Sequence, residues 1–395
     1  MKTVGILLES FMDWGGGIDF ISNLTLALQK KAKSNNIKLV FLNNEFNYMR
    51  LVGPKRKLIK FKELYINKLF NIHRERKPIC FQEFKSIKYF HYNTKDDLQK
   101  IIDKKQISSL LFAVNDGFKD LNISVFCYLF DCQHKYFPEY FPDDEIKNRD
   151  LYFLKMIKTY SKIIVVANSV KSDLVKFYDA NPDQIYNLPF APILNSIYLK
   201  NNIQCLKKYN LPKRFFIISN QFWIHKNYET AFRAIAELIK DDDYKDVKLI
   251  CTGKMEDYRK PDYINELNKL IKELNLENQI ICLGFIPKID QIEIMKYAIA
   301  LIQPTLFEGG PGGGSVWDAL SLGIYSILSD INTNLEIKNE LAIFFHAKDP
   351  INLATKMKEV INTNYIKKTD KELIDKSEKN IQVLGNYLYS IILDK

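Results

Sequence analysis

Histidine, tryptophan, glycine and proline are all sparse in this 395-residue chain, with 5 His, 3 Trp, 15 Gly and 13 Pro. So little glycine and proline excludes a collagen-like or low-complexity chain, and the 47% hydrophobic content leaves enough apolar surface to offset the entropy of ordering. No apolar run approaches the roughly 18–20 residues that cross a bilayer. At the N-terminus Glu9 interrupts a short apolar stretch and no small-residue cleavage site follows, so residues 3–8 read as a buried first strand and not a signal peptide. The six cysteines (Cys80, Cys127, Cys132, Cys205, Cys251, Cys282) form no C-x-x-C pair and read as reduced, buried thiols of a cytoplasmic protein. Zinc-ligand spacing, a G-x-S-x-G elbow and a G-x-G-x-x-G fingerprint are also missing, so zinc chemistry, serine hydrolysis and a nicotinamide cofactor have no support. The acidic run Asp241-Asp242-Asp243 follows no strand end and reads as a solvated loop.

Positive charge is in surplus. Fifty-seven Lys and Arg stand against 47 Asp and Glu, a formal net charge of +10, which calls for an acidic partner: nucleic acid, a phosphorylated substrate or an anionic lipid surface. No nucleic-acid motif accompanies the charge, so nucleic acid is not expected as a partner.

The chain reads as two strand-helix series. In the first, an apolar run at 3–8 leads to Gly15-Gly16-Gly17 and an amphipathic stretch at 18–31, the strand, glycine loop and helix that open a parallel sheet. Strand candidates follow at 38–42, 109–113, 124–130 and 162–167. Residues 47–77, rich in Lys, Arg and aromatics, interrupt the rhythm as a basic, surface-facing insertion. A polar linker at about 192–211 leads to the second series, with strands at 215–219, 247–252, 280–283, 298–303 and 325–329 alternating with helices. This pattern predicts an α/β protein of two doubly wound, Rossmann-like domains, 1–195 and 212–370, facing each other across a cleft. A last amphipathic helix within 371–395 is expected to pack back on the first domain.

The segment 303–330 carries the strongest chemical signal. An apolar strand delivers Glu308 to the carboxyl edge of the sheet, the glycines Gly309, Gly310, Gly312, Gly313 and Gly314 expose backbone N–H groups, and a helix beginning near Ser315 aims its positive end at the cleft. Asp318 lies just inside that helix, within reach of a ribose. Upstream, Lys226 follows a strand in the stretch 219–227, with Gln221 before it and His225 beside it.

These residues resemble the donor site of retaining glycosyltransferases of family four, the glycosyl transferases group 1, which have the GT-B fold. Pro304, Glu308, Gly309 and the run 318–323 stand in the places of the family's strand end, glycine loop and second carboxylate. The second carboxylate here is Asp, ten residues after Glu308, an interval two longer than the family's usual one. Lys226 matches the family's phosphate lysine, while Gln221 occupies the position of its arginine, leaving Lys254 or Arg259 as further cations. Gly253 matches the glycine at a strand end, and Phe285 and Ile286, after Gly284, match the loop whose backbone meets the nucleobase. In the first domain, 130–142 is similar to the acceptor-side loop, with Asp131 and His134 implied as catalytic residues near the reacting sugar. Gly15, Gly16 and Gly17 are similar to the loop that approaches phosphate or acceptor.

The resemblance implies a metal-independent, retaining transfer of a sugar from a nucleotide-sugar donor to a hydroxyl on a sugar, lipid-linked or protein-linked acceptor, with no cofactor. Surface polysaccharide or glycoconjugate assembly is the implied setting. Glu308 would hold the donor sugar, Lys226 the diphosphate, Asp318 the ribose, and His134 a hydroxyl near the anomeric centre. The same architecture also serves sugar-nucleotide epimerases or hydrolases, which turn over donor alone, and non-catalytic binding homologues. The basic insertion, from Lys55 to Lys77, is expected to rest on anionic membrane at its inner face.

Overall fold

The computed structural model describes residues 2–9, 11–12, 15–44, 84–200, 203–364 and 366–393. The basic insertion 55–77 lies outside the described residues, as does Cys80.

The strand runs are continuously apolar because helices cover both faces of each sheet, the condition under which parallel sheets are stable. The first sheet comprises β1 (Lys2–Leu7), β2 (Ile37–Asn44), β3 (Lys88–Tyr92), β4 (Ile107–Ala113), β5 (Ser124–Tyr128), β6 (Lys162–Val165) and β7 (Ile185–Asn187). Its order is β3-β2-β1-β4-β5-β6-β7, with every pairing parallel. The second sheet comprises β8 (Phe215–Ser219), β9 (Lys248–Thr252), β10 (Ile280–Gly284), β11 (Leu301–Gln303), β12 (Ser326–Ser329) and β13 (Ala342–Phe345), in the parallel order β10-β9-β8-β11-β12-β13. Strand order reverses between β1 and β4 in one sheet and between β8 and β11 in the other. Such switch points leave a crevice at the carboxyl ends of the strands, where open α/β sheets bind ligands.

The three glycines at 15–17 are not a loop before the first helix. They form its first turn, in the helix Gly15–Ser34, and this places Gly16 directly at the cleft. The last helix, Asp370–Leu393, lies along this one: Ile381, Leu384 and Leu388 join Ile21, Leu24 and Leu28 in one apolar core. Gly385 permits the approach, because a Cβ there would stand 2.6 Å from the Ala27 carbonyl oxygen. No helix among the described residues is long and apolar enough to cross a membrane.

Candidate active site

Gln303 ends β11, and its side chain is fully buried where an apolar run would otherwise continue. Burying an amide is costly unless it is hydrogen-bonded, and this one is bonded on both sides. Its Nε2 donates to Glu308 Oε1 at 2.7 Å and to the Gly312 carbonyl at 3.1 Å, while its Oε1 accepts from the Asn220 amide. The glutamine thereby folds the 304–312 loop around itself and fixes the Glu308 carboxylate.

Lys226 closes a single 3₁₀ turn after β8, and its Nζ lies 2.5 Å from Glu308 Oε1. Both side chains are 9% exposed. Water screens this pair little, so its charges act at far greater strength than a surface pair would. The two loops are also stitched through the backbone, with Leu306 N–H donating to the His225 carbonyl at 2.8 Å. His225 is itself buried against the cleft. Desolvation, then Lys226 and Arg259, hold its pKa well below the usual histidine value, and its Nδ1 has no partner among the described residues.

The glycine run divides into three uses. At Gly309 a Cβ would stand 2.9 Å from Asp131 Oδ2, so the 304–312 loop and the Asp131 carboxylate touch across the cleft only because no side chain intervenes. Gly312 and Gly313 have φ of +68° and +66°, the left-handed region that glycine enters without steric cost. Gly314 has nothing within 4 Å of where its Cβ would be, and it opens on the cleft.

From there the helix Gly313–Ser321 runs away from the cleft, turning the positive end of its dipole toward it, with the Gly313 N–H donating to the Gly310 carbonyl at 3.3 Å. Ser315 is buried in its first turn and its hydroxyl donates to Asn220 Oδ1 at 3.4 Å. Asp318 follows, paired with Lys288, which also lies 3.1 Å from Asp19 on the first helix. Burial holds the Asp318 carboxyl up at about 6 against the pull of Lys288. Burial also opposes the Lys288 charge, but Asp318 and Asp19 outweigh it and the lysine stays above its ordinary range.

Glu308, Lys226, Gly309, Gly310, Gly313, Gly314, Asp318, Asp131 and Gly16 therefore line one cleft of about 450 Å³ between the domains. His134 does not join them. It lies in the short turn Gln133–Tyr136, fully buried, its ring stacked on Phe153 at 5.8 Å and its Nε2 held by Tyr178 Oη at 2.9 Å and Asp150 Oδ1 at 3.1 Å. Burial lowers its pKa against the opposing pull of Asp150. The preceding residue, Gln133, faces the cleft instead. Gln221 also turns away: its Oε1 accepts from the Lys254 backbone N–H at 3.1 Å, and Asn220 takes the cleft position. Ile286 is buried in the core beside Val316, Phe285 is exposed, and neither side chain lines the cleft. Gly253 sits behind Asn220, where a Cβ would fall 1.8 Å from the Asn220 carbonyl oxygen.

Sequence reading missed three groups. Gln303 and Asn220 give a faint local signal, as amides at the ends of apolar strands. Glu336 gives none. Its carboxylate accepts from the backbone N–H groups of Asn168 and Ser169 at 2.7 and 2.8 Å, capping the first-domain helix Asn168–Tyr178 from the second domain. A further bridge is made by Arg259, which is paired with Asp257 at 2.9 Å and donates to Gln133 Oε1 at 3.2 Å.

Residues 205–380 match the family model for glycosyl transferases group 1. No curated protein matches the chain. Among solved structures, a glycosyltransferase from Rickettsia africae ESF-5 superposes with a TM-score of 0.63 at 15% identity, over 99% of this chain and 97% of that one. Sucrose-phosphate synthase from Thermosynechococcus elongatus gives 0.62 at 13% identity, over 100% and 97%. Anabaena Alr3699/HepE, solved in complex with UDP and glucose, gives 0.60 at 12% identity, over 98% and 95%. At these identities the likeness is one of fold, the two-domain GT-B architecture.

Proposed function

With residues 205–380 forming a glycosyl transferases group 1 domain within a GT-B chain, we propose that the protein transfers a sugar from a nucleotide diphosphate donor to an acceptor hydroxyl, with retention of anomeric configuration. The buried Lys226–Glu308 pair beside the open glycine helix carries the reading. It sets one cation, one carboxylate and a row of backbone donors around a single space.

In this reading the diphosphate lies over Gly313 and Gly314, where the helix N-terminus favours negative charge, and Lys226 moves from Glu308 to a phosphate oxygen. Charge neutralisation is assigned to these groups without a metal. Glu308, released from the lysine and still fixed by Gln303, accepts from hydroxyls of the donor sugar. Asp318 accepts from the ribose, and backbone groups near Phe285 and Ile286 meet the base. The bond between the anomeric carbon and the β-phosphate oxygen then breaks, and the acceptor oxygen bonds to that carbon on the same face. The acceptor's proton passes to the departing diphosphate. Stabilising that leaving charge in a water-poor cleft is the largest contribution the protein makes.

UDP-sugars are the first donors to test, because Alr3699/HepE binds UDP in the same fold. A calorimetric screen of UDP-, GDP-, dTDP- and ADP-sugars is expected to show binding by one class, and NMR of the product is expected to show the donor's anomeric configuration. Turnover of the donor to an epimer without any acceptor would overturn the transfer reading. The surplus of positive charge supports a setting in surface polysaccharide or glycoconjugate assembly at an anionic membrane face; sedimentation with anionic liposomes at low salt tests it.

A further inference from the structure

We infer that the acceptor is an uncharged molecule whose reacting hydroxyl is carried on an apolar body, received by the first-domain wall of the cleft. The inference rests on the proposed transfer reaction and names the substrate class for it.

Opposite the donor loop, the cleft is walled by Phe20, Leu24, Phe130, Leu188, Ile193 and, from the terminal helix, Leu384. The aromatic part is preorganised. Phe20 and Phe130 lie 5.3 and 4.9 Å from the Tyr128 ring, and Phe112 packs behind Phe20 at 6.2 Å. Phe112 holds its place through a φ of +69° at a register shift in β4, a conformation that a bulky side chain rarely adopts. A wall of this kind removes apolar surface from water with little loss of its own freedom.

Charge among the described residues disfavours the main alternative. Lys226 is the only lysine or arginine among the described residues lining the cleft, against the carboxylates of Asp19, Asp131, Glu308 and Asp318, of which Asp19 and Asp318 share Lys288 behind the wall. Lys226 is already engaged by Glu308, and by the diphosphate once donor is bound. An acceptor bearing phosphate or carboxylate would meet Asp131 with no free cation among the described residues lining the cleft, an unfavourable juxtaposition in a poorly screened site.

Within the apolar wall the Tyr128 hydroxyl lacks a partner among the described residues. Tyr128 is 6% exposed, its hydroxyl is bonded to no described residue, and burial pushes its pKa up, so it stays a protonated donor. It is placed to donate to a hydroxyl oxygen of the acceptor. Asp131, beside Gly309, is placed to accept from the reacting hydroxyl as its oxygen bonds to the anomeric carbon and its proton leaves with the diphosphate.

The test offers common hexoses and N-acetylhexosamines to the full-length enzyme in four forms: free, as phenyl glycosides, as octyl glycosides and as sugar phosphates. The donor is the nucleotide sugar found in the screen. Transfer rates are read together with inhibition of donor hydrolysis, so that a bound but unreactive acceptor still registers. Phenyl or octyl forms are expected to exceed free sugars at least tenfold in kcat/KM or in inhibition, and sugar phosphates are expected to fall below free sugars. The phenyl and octyl arms separate an aromatic body from an acyl-like chain. Phe130→Ser is expected to reduce the preference at least fivefold, and Tyr128→Phe, which keeps the ring, to raise acceptor KM. Equal use of free sugars, a preference for sugar phosphates, or indifference of all four forms to donor hydrolysis would overturn the inference. Failure of the wild-type enzyme to bind any nucleotide sugar by calorimetry would instead overturn the transfer reading on which it rests.

Discussion

The second-domain wall of the cleft is held by charge and hydrogen bonds, whereas the first-domain wall is set by ring packing. In the former, Lys226, Glu308, Gln303 and Asn220 form a chain of polar contacts. In the latter, Phe11, Phe20, Phe112, Tyr128 and Phe130 form a cluster with centroids 4.9 to 6.5 Å apart. The difference fits the demands on the two sides. In the proposed transfer a nucleotide diphosphate has fixed charge, which must be met by a cation and by aligned dipoles, while an acceptor varies in shape and can be selected by apolar area.

If the polar wall performs the chemistry, its central pair is the most sensitive point. Glu308→Gln keeps the shape and the bond from Gln303 but removes the charge, and it is expected to lower kcat by about 10²–10³-fold, the range for loss of one electrostatic contact to a developing charge. Lys226→Met should cost a similar factor and also weaken nucleotide binding. Initial rates with saturating donor check the first and calorimetry the second, with circular dichroism confirming the fold. A Glu308→Gln enzyme with near-normal turnover would move the donor site elsewhere.

The next largest effect is on stability, and it separates the two walls. His134 is packed against Phe153 and bonded to Tyr178 and Asp150 outside the cleft. His134→Ala should therefore cost about 2–4 kcal/mol of stability through lost packing and unpaired partners. The melting temperature should fall while KM for donor and acceptor holds. Turnover lost without a drop in melting temperature would return the histidine to the reacting centre.

His134 also shows where sequence stops being informative. That Glu308, Asp318 and most of the glycines between them would share one cleft was legible because they lie within one strand, loop and helix whose local geometry places them. The strands were legible because burial on both faces leaves an unbroken apolar run, as in 215–219. A four-residue turn such as Gln133–Tyr136 carries no such periodicity, so nothing in the sequence said that Gln133 would face the cleft and His134 the core. Contacts between domains were hidden for another reason. Glu336 with Asn168, Arg259 with Gln133, and Asp131 with Gly309 are each more than 120 residues apart, and their pairing is decided by how two finished sheets dock.

A smaller effect tests the polar wall through its empty space. Gly314 lies in the first turn of its helix with nothing within 4 Å of a Cβ position. Gly314→Ala should leave the unliganded protein as stable or more so, by up to about 1 kcal/mol, because alanine favours the helix. Yet it should weaken donor binding about tenfold, corresponding to roughly 1.4 kcal/mol, since the methyl group stands where the phosphate must approach the backbone. Unchanged affinity in calorimetry would place the diphosphate off this helix.

The least disruptive test uses pH alone and bears on Asp318. Its carboxyl is pushed up to about 6 by burial, with Lys288 opposing and Asp19 adding to the rise. The sign for stability follows: a raised acid pKa costs the folded state in full above about 6, and the cost fades as pH falls toward the ordinary value of 3.8. For binding the sign is opposite, because a ribose hydroxyl donates more strongly to the charged carboxylate than to the neutral acid. Nucleotide affinity should therefore hold above pH 6 and fall below it, by at most about tenfold at pH 5 where roughly a tenth of the group remains ionised. Stability over the same interval should rise slightly, so the loss of affinity cannot be assigned to unfolding. Asp318→Asn should bind more weakly at pH 7 and lose the dependence, whereas a titration surviving in that variant would assign the pH effect to the phosphate end of the cleft.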